Sequence, residues 1–108
     1  MTDLCTLYVT TATLEEAQTI ADVLLEQHLI ACANLLPSMT SMYRWNGATQ
    51  VEDEVAMLLK TRHALAERAT ERIKELHSFE VPCIVVWPIE SGSETYLSWV
   101  RNETQSPS

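Results

Sequence analysis

The stretch Ala31–Thr61, ACANLLPSMTSMYRWNGATQVEDEVAMLLKT, decides the fold. At its centre stands Asn46-Gly47. Both residues tolerate positive φ, so the pair predicts a type I′ turn joining two antiparallel strands. Ahead of the turn, Met39, Ser41, Tyr43 and Trp45 alternate with Thr40, Met42 and Arg44. Behind it, Val51, Val55, Met57 and Leu59 share one parity, with Asp53 the exception, while Glu52, Glu54 and Lys60 share the other with Ala56 and Leu58. This period of two describes a hairpin with an apolar stem and a wetter tip. Pro37 has no amide to give a ladder, so it marks an edge, a bend or a bulge in the first arm.

The hairpin is long. Ordinary strands run to about 5–6 residues, and each arm here reaches about twice that, so its tip overhangs a small domain. The overhang carries Met39, Met42, Tyr43 and Trp45 and leaves backbone groups unpaired. Such an edge is either blunted by charge or paired with another chain. Glu52, Asp53 and Glu54 suit the first device; the aromatic and methionine content favours the second, which points to a multimer.

Outward from the hairpin, Leu4–Thr11 alternates apolar and hydroxyl residues and predicts a first strand. Thr13-Leu14-Glu15-Glu16 fits a capping box, and Ala17, Ile20, Ala21, Leu24 and His28 follow at helical spacing, so a helix runs to about His28. Leu65, Ala66, Ala69, Ile73 and Leu76 predict a second helix over His63–His77, with its charges on a solvated face. Ser78–Pro82 reads as a loop, Cys83–Trp87 as a buried strand between Pro82 and Pro88, and Tyr96, Leu97, Trp99 and Val100 as a short terminal helix before a polar, frayed end from Asn102 to Ser108. The order β-α-β-β-α-β predicts an α+β, ferredoxin-like domain over residues 1–108: a four-stranded antiparallel sheet with two helices on one face, plus the short C-terminal helix.

The composition narrows the function classes. Fifteen acidic against seven basic residues give a formal charge of −8, a field that repels phosphate backbones and anionic lipid. Neither nucleic acid nor membrane is an expected partner, and no stretch approaches the ~20 apolar residues that span a bilayer. Met1-Thr2-Asp3 has no basic leader, so the cytoplasm is the expected compartment. Cys5, Cys32 and Cys83 are odd in number and have no CxxC spacing, which argues against a disulfide framework or a zinc finger. Cys5 and Cys32 read as buried thiols.

Several separated motifs, ACANLLPSMTSMYRWNG, EVAMLLKT, ERIKELHSFEVP and YLSWV, occur in an order that resembles the CutA (CutA1) family of divalent-cation tolerance proteins, over roughly Leu4 to Thr104. The resemblance implies a ferredoxin-like homotrimer whose long strands pair between subunits, and a link to tolerance of copper and other divalent metals. It also implies a likeness in architecture to the PII signalling proteins, so a small-molecule-sensing or signal-transducing trimer stands as the alternative. The family's aromatic hairpin tip corresponds to Tyr43 and Trp45 and its Lys-Thr to Lys60 and Thr61. Its His-Pro-Tyr-x-x-Pro-Glu loop corresponds to His77–Cys83, with Ser78, Phe79 and Cys83 replacing the first proline, the tyrosine and the glutamate. The strand-one cysteine implicated in copper binding in some relatives corresponds to Thr10.

His77 and Cys83 offer an imidazole and a thiol suited to copper or another divalent cation, with Glu80 as a harder third ligand. The alternative is a surface histidine beside a core-facing cysteine, since His-x5-Cys is not a recognised ligand spacing. His28 and His63 lie near helix ends, where histidine suits the dipole. Tyr43, Trp45, Lys60 and His77 form a second candidate set, an aromatic-walled cleft between subunits for a small anion; packing of the rings at the interface is its alternative. A Cys83–His77 nucleophile–base pair has no orienting third group, no oxyanion hole and no Gly-rich loop beside it. A non-catalytic protein without an organic cofactor is the resulting expectation.

Overall fold

The computed structural model describes residues 2–106. β1 (Leu4–Thr11), α1 (Leu14–Glu26), β2 (Cys32–Trp45), β3 (Ala48–Arg62), α2 (Ala66–Leu76), β4 (Ile84–Pro88) and α3 (Glu94–Asn102) follow one another, with a 3-10 turn at His63–Leu65 ahead of α2. The strands form one sheet in the order β2-β3-β1-β4, and every neighbouring pair is antiparallel. The ferredoxin-like α+β arrangement is borne out.

Strand parity divides the sheet. Leu7 and Val9 of β1 and Met57 and Leu59 of β3 point to one face and are fully enclosed beneath Ala17, Ile20 and Leu24 of α1 and Ala69 and Ile73 of α2. The opposite face carries Thr6, Tyr8 and Thr10, with Trp87 and Val85 in register beside them. α3 covers that face only at its near end, where Leu97 and Val100 pack on Leu4 and Ala31. Farther along, Tyr8 and Trp87 stack at 5.1 Å between ring centroids, and Trp87 stays exposed.

The hairpin closes through Asn46 (φ 50°) and Gly47 (φ 79°), as the dipeptide predicts. The arms stay paired to the tip, Trp45 opposite Ala48. The register slips between Leu36 and Met39, and Ser38 takes φ 65° directly after Pro37. β1 pairs with β3 only as far as Thr11 opposite Val55, so among the described residues the hairpin from Glu54 to its tip has no strand on its flanks. That projection stretches the molecule to 44 × 25 × 22 Å.

Four expectations differ from the structure. The strand expected to be buried between Pro82 and Pro88 is exposed from Val85 to Pro88, because β4 is an edge strand of the sheet and only its Ile84 packs against the core. The second helix begins at Ala66, after the 3-10 turn, because no side chain caps the entry at Arg62 or Leu65. Cys32 is half-buried and its Sγ lies 3.2 Å from the Tyr96 hydroxyl, whereas Cys5 is enclosed and burial pushes its thiol up to about 11. The end of the chain is tied down over its first residues: Asn102 closes α3, buried Thr104 receives the Arg62 Nε–H at 3.1 Å, and the Gln105 amide donates to the His28 carbonyl at 2.8 Å. Pro107 and Ser108, the last residues of the expected frayed end, lie outside the described residues.

Candidate functional site

The sequence candidates gather where β1 ends. The capping box forms there: Thr13 Oγ1 accepts the Glu16 amide at 3.1 Å, and Glu16 Oε1 returns to the Ala12 amide at 3.4 Å. Glu16 also reaches across to the loop after α2, its Oε2 accepting the Ser78 amide at 2.7 Å. Burial pushes its carboxyl up, but the Ser78 amide, His77 and the Ala12 amide outweigh burial, and the net direction is down.

His77 sits at the exit of α2 with its side chain fully enclosed. Its Nδ1 accepts the Phe79 amide at 3.0 Å, which requires that nitrogen to be unprotonated. Nε2 therefore carries the hydrogen and donates it to the Thr10 carbonyl at 2.7 Å. Phe79 covers the ring at 4.8 Å between centroids. Both nitrogens are thus occupied inside the protein.

Cys83, directly before β4, is exposed. The ladder places Ile84 opposite Val9, so Cys83 falls beside Thr10. Burial of its sulfur pushes the thiol up, the Thr10 contact opposes this, and the charge of Glu54 adds to the rise. Glu80 is exposed. Among the described residues no three His, Cys, Asp or Glu side chains converge on one point, so the expected trio His77, Glu80 and Cys83 is not assembled. The physical reason is that Thr10 and Phe79 draw the imidazole inward while the loop turns Glu80 and Cys83 outward.

The second set is dispersed within one chain. Tyr43 and Trp45 stand exposed near the hairpin tip, the Tyr43 hydroxyl donating to Glu52. Lys60 lies on the stem, opposite Cys32, and donates to Asn34 Oδ1 at 2.7 Å. The stretch of β3 from Gln50, the register partner of Tyr43, to Lys60 rises about 33 Å at ~3.3 Å per residue. His77 lies under Thr10, away from both. His28 (φ 57°) and His63 serve chain geometry: His28 Nδ1 meets the Glu103 carbonyl at 3.2 Å, and the His63 amide donates to Asp3.

Glu54 is the one acid of the hairpin that the structure turns inward. It is 7% exposed, yet no hydrogen bond or ion pair holds its carboxylate among the described residues. In the sequence it reads as one of three edge-blunting acids, and only the register, which sets it opposite Met39 and beyond the end of β1, shows it turned inward.

A ferredoxin-like sheet with an overhanging hairpin and a polar junction at the end of its first strand defines the class. The chain belongs to the CutA1 divalent ion tolerance protein family, whose model matches residues 5–103. It is 43% identical over 90 residues to the divalent-cation tolerance protein CutA of Thermus thermophilus, covering 83% of this chain and 87% of that protein. It is 35% identical over 99 residues to the chloroplastic protein CutA of Arabidopsis thaliana, covering 92% of this chain but 54% of that protein, so it spans about half the plant relative's length. The crystal structure of CutA from Xylella fastidiosa superposes with a TM-score of 0.94 at 30% identity, covering 96% of this chain and 100% of that one.

Proposed function

We propose that this protein is a non-catalytic homotrimer that binds copper or other divalent metal ions in the response to those metals. The observation that carries the assembly is the hairpin. From Glu54 to Trp45 it has neither a third strand nor a helix beside it among the described residues, and Met42 is 69% exposed, with Tyr43, Trp45 and Val51 near it exposed as well. Backbone edges and rings of this kind gain partners when strands of sister chains pair with them. The uncovered sheet face, with Leu36, Val85 and Trp87 exposed, offers a second contact.

Metal binding is the function that the family's name supports. Of the expected ligands, Glu80 and Cys83 stand at exposed positions; His77 would first have to break its bonds to Thr10 and Phe79. The three free thiols suit a reducing compartment, and we read the cytoplasm as its place. Calorimetric titration with copper(II) and zinc tests the reading. Saturable heats are expected for the native protein, and their absence for both ions would contradict it.

A further inference from the structure

We propose that the groove between the exit of α1, the outer face of α2 and the segment after α3 binds a small zwitterion, an amino acid or a dipeptide, with its carboxylate on Arg68 and its ammonium on Glu67. The groove lies on the helical side of the sheet, away from the hairpin and sheet-face contacts proposed above. The inference does not rest on metal binding.

Three observations carry it. First, the groove has the size and the lining of a small-molecule site. It holds about 690 Å³, within the ~300–1,000 Å³ typical of such sites. Leu29 and Ala64 give it an apolar lining, and Glu67 and Arg68 stand in its wall. Ala64 comes one turn before both of them, and its methyl group fills little of the space beside their side chains.

Second, both charges are available. Arg72 and Lys74 are engaged by carboxylates of their own helix, Glu75 at 3.4 Å and Glu71 at 3.5 Å. Arg68 instead meets a neutral amide, its Nη1 donating to Gln105 Oε1 at 2.9 Å. No carboxylate pairs with it among the described residues, so most of its N–H donors are left for a ligand. Glu67 is exposed and has no hydrogen bond or ion pair among the described residues.

Third, the guanidinium is held in place. The Gln105 backbone amide donates to the His28 carbonyl at 2.8 Å, and its Nε2 donates to the Gln27 carbonyl at 2.6 Å. These two ties to the exit of α1 fix Oε1 against Arg68. A group set in position before binding loses less freedom when the ligand arrives.

The charge pattern selects the ligand. A simple anion meets Glu67, Glu71 and Glu75 in the groove and a chain of formal charge −8 around it. A simple cation meets Arg68 and Arg72. A zwitterion answers Arg68 with its carboxylate and Glu67 with its ammonium, both charge-assisted hydrogen bonds, while its apolar part rests on Leu29 and Ala64.

The test is a titration of the assembled, nitrogen-15-labelled protein with leucine and with alanyl-leucine, read from the NMR shifts of the Gln105 backbone and side-chain amides. Saturable shifts are expected with at least one of the two, which decides between amino acid and dipeptide. The N-acetyl and C-amide forms of that probe each lack one charge and are expected to bind about tenfold more weakly, the scale of one charge-assisted hydrogen bond. Arg68→Gln and Glu67→Gln are expected to show the same loss, and Arg68→Lys, which keeps the charge, to recover part of it. Both positions are exposed, and circular dichroism checks that the variants fold. No saturable shift with either probe at millimolar concentration overturns the site. So does equal affinity for a blocked form, or native affinity in Arg68→Gln or Glu67→Gln.

Discussion

His77 donates from Nε2 to the Thr10 carbonyl at 2.7 Å, so the residue that most resembles a metal ligand in the sequence serves as a buried latch. It joins the exit of α2 to the end of β1, and its other nitrogen holds the loop through the Phe79 amide. Replacing it leaves a carbonyl and an amide without partners and opens a void under Phe79. His77→Ala is expected to cost about 2–4 kcal/mol in denaturant unfolding at fixed chain concentration. Copper heats retained by the folded variant would agree with a structural role; a variant of native stability that had lost all metal binding would contradict it.

Glu16 makes stability depend on acid. Its folded pKa lies below the ordinary 4.5, so the folded state binds its proton less readily than the unfolded chain. The contribution is present in full above 4.5 and disappears as pH falls through the lowered folded value. Glu16→Gln is expected to lose about 1.5 kcal/mol near neutral pH, the charge-assisted part of the Ser78 contact. The gap between variant and native protein should close as unfolding is measured toward strong acid. An unchanging gap would show that charge is not the cause.

The turn of the hairpin is set by backbone conformation. At Gly47, φ is +79° and an added Cβ would meet nothing within 4 Å. Gly47→Ala therefore adds no clash with neighbouring elements and costs only the left-handed conformation, about 1 kcal/mol. A denaturation midpoint equal to native would show that the tip tolerates another turn type.

The segment after α3 is an anchor. Thr104 accepts from Arg62 and donates from Oγ1 to the Val100 carbonyl at 3.0 Å. Thr104→Val keeps the shape and removes both bonds, and is expected to lower stability by about 1–2 kcal/mol. Amide exchange at Gln105, whose N–H meets the His28 carbonyl, should quicken in the same variant. Unaltered exchange would contradict the anchoring role.

The fold was legible because its signals are local. Asn46-Gly47, the Thr13–Glu16 box and the alternation of the stem each act over a few residues, and each appears in the structure as read. The site was less legible because it depends on which residues lie across from one another. Nothing within His77–Cys83 reveals that Thr10 claims the imidazole, and nothing within Glu52–Glu54 separates the buried acid from the two exposed ones. The end of the chain escaped for the same reason: polar residues read as frayed until Arg62 and His28, far away in sequence, supply their partners.

The central claim is that the projecting ribbon finds its partners on sister chains. Sedimentation equilibrium at micromolar concentration tests it directly, since one chain has a mass of 12.2 kDa. The account predicts a single species of three chains whose Tyr43 and Trp45 are shielded from collisional quenchers of fluorescence. A folded species of one chain, with both rings open to quencher, would contradict it.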